Sequence, residues 1–139
     1  MHPVVLTDED LASAEQKVLP NTPVVMLNLV AFNSSALYED SSFSACSGTE
    51  AYFQRYAPAF RQAAAAAGVE GIKVLYVGAV AATLVGPADP RWDAIALVEY
   101  PDFEALRKVL QSPLYKAEAE PHRKAALKAW QFTMSARPR

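Results

Sequence analysis

Along the chain, short apolar runs with a period near two alternate with stretches whose apolar positions recur every three to four residues, and each switch marks an element. Val24 to Phe32 (VVMLNLVAF) is continuous and apolar, with Pro23 before it and Asn33-Ser34-Ser35 after it, and predicts the first strand. Val25, Leu27, Leu29 and Ala31 make one uniformly apolar face. Met26, Val30 and Phe32 make the other, interrupted by Asn28. A strand apolar on both sides is covered on both sides.

Ser47 or Thr49 can cap a helix running to about Ala67, with Phe53, Ala57, Phe60, Ala64 and Ala67 on one face. Pro58 lies inside that pattern and predicts a kink, because it removes one backbone donor. Gly68 suits the position after the helix end. Ile72 to Gly86 is apolar and β-branched and predicts one long strand or a bent pair, ended by the turn from Gly86 to Pro90. Trp92 to Tyr100 (WDAIALVEY) predicts its antiparallel hairpin partner. Asp102 caps a helix with Phe103, Leu106, Val109 and Leu110 inward. Ser112-Pro113 starts another, which Pro121 breaks or restarts before it runs to about Lys128. Trp130 to Ser135 alternates Trp130, Phe132 and Met134 against Gln131, Thr133 and Ser135, and predicts the last strand.

Residues 1–23 read as an extension. Thr7 followed by Asp8-Glu9-Asp10 is a helix start, Leu11, Ala14 and Val18 continue it at helical spacing, and Pro20 to Pro23 ends it. The remaining domain, 24–136, has the order β-α-β-β-α-β. This is the split-βαβ, ferredoxin-like arrangement of the α+β class, with a four-stranded antiparallel sheet. Right-handed crossovers put both helices on one sheet face. The other face, expected to be lined partly by Met26, Val30 and Phe32, is too apolar for water. It predicts a homodimer through sheet faces.

Composition narrows the function classes. With 139 residues and 52% hydrophobic content the chain supports one core. A formal charge of −2 argues against a surface that tracks phosphates, so no nucleic-acid partner is expected. One cysteine, Cys46, excludes an intramolecular disulfide and a four-Cys zinc site, and two His residues 120 apart make no metal site. The start has no basic and apolar leader, and no apolar run approaches the roughly 20 residues of a membrane helix. A cytoplasmic protein with no cofactor and no membrane partner is the expectation.

Several segments carry a resemblance. PVVMLNLVAF (Pro23–Phe32), SGTEAYFQRY (Ser47–Tyr56), VLYVGAV (Val74–Val80), RWDAIALVEYP (Arg91–Pro101) and SPLYKAEAEPHRKAAL (Ser112–Leu127) look like the DUF1330 family, within the dimeric α/β-barrel superfamily. The resemblance covers nearly the whole chain. It implies a dimer of ferredoxin-like subunits with a ligand between sheet and helices in each. Relatives in that superfamily include cofactor-free quinone-forming monooxygenases, muconolactone-type isomerases and haem-degrading enzymes. The last use an Asn on the first strand, matched here by Asn28. Their Trp position falls on Val109, and their His position falls near Ala119, with His122 almost a turn away. The monooxygenase His position falls at Val109 or Leu110.

Candidate site residues follow from polar intrusions on apolar elements. Asn28, mid-strand, must bond either a neighbouring group or a ligand, because a buried unpaired amide costs roughly 1–3 kcal/mol. Glu99 shares a strand face with Ile95 and Leu97; it is either a proton acceptor raised by burial or an exposed carboxylate at a strand end. His122 titrates near neutrality and Arg123 is a permanent cation, so they can supply the ionic end of a pocket, with His122 inside and Arg123 at the rim. The alternative is a pair covering the sheet edge. The other His, His2, lies in a segment expected to be disordered. Trp92 and Tyr76, with Tyr100 and Tyr115, line an aromatic pocket or belong to core and interface. His122 and Glu99 are thus the catalytic candidates, and Asn28, Arg123, Trp92 and Tyr76 the ligand contacts. The leading expectation is a cofactor-free enzyme, monooxygenase- or isomerase-like, acting on a small organic acid or aromatic. Its rival is a non-catalytic ligand-binding or stress-related module on the same fold.

Overall fold

The computed structural model describes residues 4–137, so His2 lies outside the described residues. Thr7 starts helix α1 (Asp8–Glu15) with a reciprocal cap: its hydroxyl accepts from the Asp10 N–H, and the Asp10 carboxylate accepts from the Thr7 N–H. Leu11 then carries α1 onto the main core. Strands β1 (Val24–Phe32), β2 (Lys73–Ala79), β3 (Ala94–Tyr100) and β4 (Leu127–Ala136) form one antiparallel sheet in the order β2-β3-β1-β4. Three helical segments cover one face: α2 (residues 48–66), α3 (Phe103–Leu110) and α4 (residues 113–126). This is the α+β, ferredoxin-like arrangement, and within one chain the sheet is open, not a closed barrel. Among the described residues no helix is long and apolar enough to cross a membrane.

Local chemistry explains the helices. Ser47 caps α2 by accepting from the Glu50 N–H at 3.0 Å. The next residue must be Gly48, because a β carbon there would overlap the carbonyl oxygens of Asn33 and Ala126. The expected kink at Pro58 takes the form of a π-helical stretch, Ala51–Tyr56, in which the Ala57 N–H reaches back to the Tyr52 carbonyl. The wide turn lets the helix pass a residue that cannot donate. The same device recurs in α4, where Tyr115–Ala119 is π-helical just ahead of Pro121. Gly68, at φ +72°, ends α2 in the left-handed region. Asp102 caps α3 through the Ala105 N–H at 2.8 Å.

Three expectations are corrected. The strand after Ile72 stops at Ala79, where its ladder with β3 ends at the Ala79–Ala94 pair and one last bond runs from the Val80 N–H to the Asp93 carbonyl at 2.9 Å. Residues 81–92 form a loop instead, with Leu84 and Val85 exposed. The last strand begins at Leu127, three residues ahead of the visible alternation, pairing with Phe32 across a register shift. The faces of β1 are also reversed: Met26 and Val30 lie beneath the helices, at 4% and 2% exposure, while Val25, Leu27 and Leu29 are half-buried on the open face. Alternation alone does not say which parity the helices take; the crossovers decide it.

Candidate functional site

A cavity of about 340 Å³ lies between the inner sheet face and α2. Strand parity builds its floor: Asn28 of β1 stands opposite Ala96 of β3 and Phe132 of β4, and Val98, Val74 and Val77 continue the same face toward the β2 edge. Helical spacing builds its roof, with Tyr52, Tyr56 and Phe60 successive four-residue steps along α2. Trp130 closes one end. Phe53 and Val77 line both this cavity and a wider cleft bearing Arg91, Asp93 and Lys128.

Behind the aromatic wall sits a buried cation. Arg123 is 1% exposed, and its guanidinium lies 4.4 Å from the centre of the Trp130 ring. Its Nε donates to the Tyr115 hydroxyl at 3.2 Å, and Nη1 donates to the Val4 carbonyl at 2.5 Å. Nη2 faces the Glu120 carboxylate at 3.5 Å. Burial works against this charge, but Tyr115, Tyr56 and Glu120 outweigh it, and Arg123 stays protonated. Tyr115 in turn meets the Tyr56 hydroxyl at 2.9 Å. Burial pushes the phenols of Tyr56, Tyr52 and Tyr100 above their usual range, so all three stay neutral.

Asn28, the polar residue of the floor, is held at both ends of its amide. The Trp130 indole N–H donates to Oδ1 at 3.0 Å, and Nδ2 donates to the Ala96 carbonyl at 3.5 Å. One Nδ2 hydrogen and one Oδ1 lone pair stay free. The amide is therefore tied down by its neighbours and still has capacity for a ligand.

The other sequence candidates separate. Glu99 pairs with Val25 on the open face, opposite in parity to Asn28, with Arg137 3.8 Å away. The two do not approach one cavity, because Val25 and Asn28 are three positions apart on β1, an odd offset that turns them to opposite faces of the sheet. Tyr76 lies on that same open face, across from Leu97. Trp92 stands in the loop before β3, and neither aromatic lines the cavity. His122 and Arg123 exchange the places expected of them. Successive helical residues point about 100° apart, and here Arg123 takes the interior. His122 turns to the 33–47 loop, where its Nδ1 and the Tyr38 hydroxyl are 2.7 Å apart and Phe43 packs on its ring edge. Burial and the Arg55 charge lower the His122 pKa, against an opposing pull from Glu118. Among the described residues no three His, Cys, Asp or Glu side chains come together as a metal requires.

Tyr100, one of the aromatics expected at a pocket, does line the cavity, whereas the other lining aromatics were visible without being recognisable. Tyr52, Tyr56 and Phe60 have helical spacing, and Trp130 and Phe132 alternate, but only the register of β4 against β1 brings Trp130 to Asn28.

No family model matches the chain, and no curated protein does. Among solved structures, the chain is similar to the RPA0582 protein of Rhodopseudomonas palustris, described as of unknown function. Identity is 27%, the TM-score is 0.81, and the match covers 100% of this chain and 99% of that one. A methylated form of that protein matches with a TM-score of 0.77 at 27% identity, over 99% and 96% of the two chains. An ethyl tert-butyl ether D (EthD) family protein from Bacillus halodurans shares 20% identity with a TM-score of 0.50, over 81% of this chain and 96% of that one. The last likeness is one of fold alone.

Proposed function

We propose that this chain binds a small, flat, largely apolar or aromatic molecule in the cavity between sheet and α2, as one subunit of a homodimer joined through the open sheet face. The observation that carries the reading is the lining itself: apart from the exposed Arg61, aromatic and aliphatic side chains surround one anchored amide with spare hydrogen-bonding capacity. That composition, in a cavity near 340 Å³, is typical of small-molecule sites. Of the two expectations from sequence, binding has the better support. The described lining holds no His, Asp, Glu or Cys side chain, so proton transfer of the isomerase kind finds no acceptor there. The dimer is supported by Val25, Leu27, Leu29, Ile95 and Leu97, which make one continuous apolar patch on the open face.

α-Methylstyrene is a suitable probe, titrated calorimetrically and by quenching of Trp130. A probe of this size should bind with Kd of about 0.1–1 mM. Ala96→Phe, which fills the cavity from β3, should abolish binding while unfolding stays cooperative. Undiminished affinity in folded Ala96→Phe protein would place the ligand elsewhere.

A further inference from the structure

The hydroxyl chain behind the cavity has a direction, and that direction selects ligands. Arg123 has no acceptor atom, so its Nε–H can only donate to the Tyr115 oxygen. Tyr115 is 1% exposed, and its own hydrogen needs an acceptor. The hydroxyl of Tyr56, at 2.9 Å, provides one. Were Tyr56 to donate instead, the Tyr115 oxygen would accept two bonds while its hydrogen stayed buried without a partner. The ordering is therefore Arg123 to Tyr115 to Tyr56. The Tyr56 hydrogen is then left over at the end of the chain, and Tyr56 is the member of this chain that lines the cavity.

We propose that Arg123 and Tyr115 orient the Tyr56 hydroxyl so that its hydrogen points into the cavity, which makes the site selective for aromatic or conjugated molecules carrying an oxygen that accepts a hydrogen bond. The proposal rests on the cavity being the binding site. Burial keeps Tyr56 protonated, so the donor is present across the neutral range. Asn28, which has a spare Nδ2 hydrogen, lines the same cavity, and a carbonyl, enol or phenol oxygen suits both donors. Tyr56 is a ligand contact in this scheme; Tyr115 and Arg123 are positioning residues that touch no ligand. The opposite polarity would offer a lone pair instead of a hydrogen and would favour N–H donors such as indoles.

Acetophenone and α-methylstyrene differ only by C=O against C=CH₂, so the ratio of their affinities isolates the acceptor oxygen. Replacing Tyr56 by Phe should lower the ratio of acetophenone to α-methylstyrene affinity by about fivefold, the worth of one net hydrogen bond, since a change in cavity packing acts on both probes alike and cancels in the ratio. Tyr115→Phe should lower it part of the way, a change that loss of packing alone would not produce. Independently of any variant, the carbonyl stretch of bound acetophenone should move to lower frequency than in hexane, and return toward it in Tyr56→Phe. If α-methylstyrene binds but Tyr56→Phe and Tyr115→Phe both keep the wild-type ratio, or if indole gains on acetophenone relative to Tyr56→Phe, the polarity proposed is overturned while the cavity reading stands. If neither probe binds wild-type protein, the cavity reading falls and the selectivity falls with it.

Discussion

On β1, Met26, Asn28 and Val30 point into the helices while Val25, Leu27 and Leu29, each one position away, point out of the sheet. Both sets are apolar apart from one amide, yet their surroundings differ in kind. The inner set is covered by the chain's own helices and sits in a network where Asn28, Trp130, Arg123, Tyr115 and Tyr56 constrain one another. The outer set meets Ile95 and Leu97, with Gln131 and Thr133 of β4 toward one edge, and no helix of the described residues covers it. Apolar area on both sides is enough to drive burial, since that force has no direction. A cavity of fixed shape also needs directional bonds, and these are concentrated on the inner side. The outer face offers apolar area alone, which fits the proposed dimer, and the inner face offers a shaped, hydrogen-bonded cavity, which fits the proposed ligand.

The largest effect expected is on the inner side. Arg123→Ala removes a cation packed on Trp130, two hydrogen bonds and a fully buried side-chain volume. It also leaves Glu120 with Lys124, at 3.3 Å, in place of two cationic partners. Urea unfolding should show a loss of about 3 kcal/mol or more. A loss below about 1 kcal/mol would mean that the network is decorative and that the contrast between the two faces is one of coverage alone.

Leu27→Asp tests the outer face. A charge at the centre of the apolar patch, present once per subunit, should raise the dimer dissociation constant by at least about a hundredfold, read by sedimentation. Monomer stability should change by less than about 1 kcal/mol, because the site is not in the inner core. Wild-type protein sedimenting as a folded monomer at micromolar concentration would remove the dimer outright.

The sequence carried the element order almost completely, since hydrophobic period, capping residues and prolines are local signals. Thr7, Ser47, Asp102 and Gly68 all punctuate as their chemistry demands. Parity did not follow from it. The alternation of β1 is equally apolar in both phases, so the assignment of Met26 and Val30 to the open face had no local signal against it. The site suffered from the same gap. Asn28 stood out as an amide among aliphatics, but its partner Trp130 lies 102 positions away and is fixed only by the β1–β4 register. Arg123 and His122 are adjacent, and which of them turns inward depends on the phase of a helix carrying a π-turn, which a uniform 3.6-residue repeat does not capture. Long-range register and local changes of helical phase are the two quantities that a single sequence leaves open.

The smallest effect concerns the residue that Arg123 displaced from the interior. His122 has the Tyr38 hydroxyl at 2.7 Å and Phe43 and Tyr38 against its ring, with Arg55 and Glu118 the charges acting on it. Burial and Arg55 lower its pKa below the ordinary 6.5, so in the range just under that value the unfolded chain binds more protons than the folded one. Stability then rises with pH there. The contribution is fully present above the unfolded-state pKa and is lost as pH falls through the folded value. Comparing urea midpoints of wild type and His122→Gln at pH 7.5 and pH 5.5 isolates this part from general acid denaturation, with the pH values chosen to be about one unit either side of 6.5. The wild type should lose more on acidification than the variant. The reverse sign would mean that the protonated ring finds an acceptor in the folded state, with Glu118 outweighing Arg55. His122 would then belong to a charged rim instead of the half-buried aromatic contact with Tyr38 and Phe43.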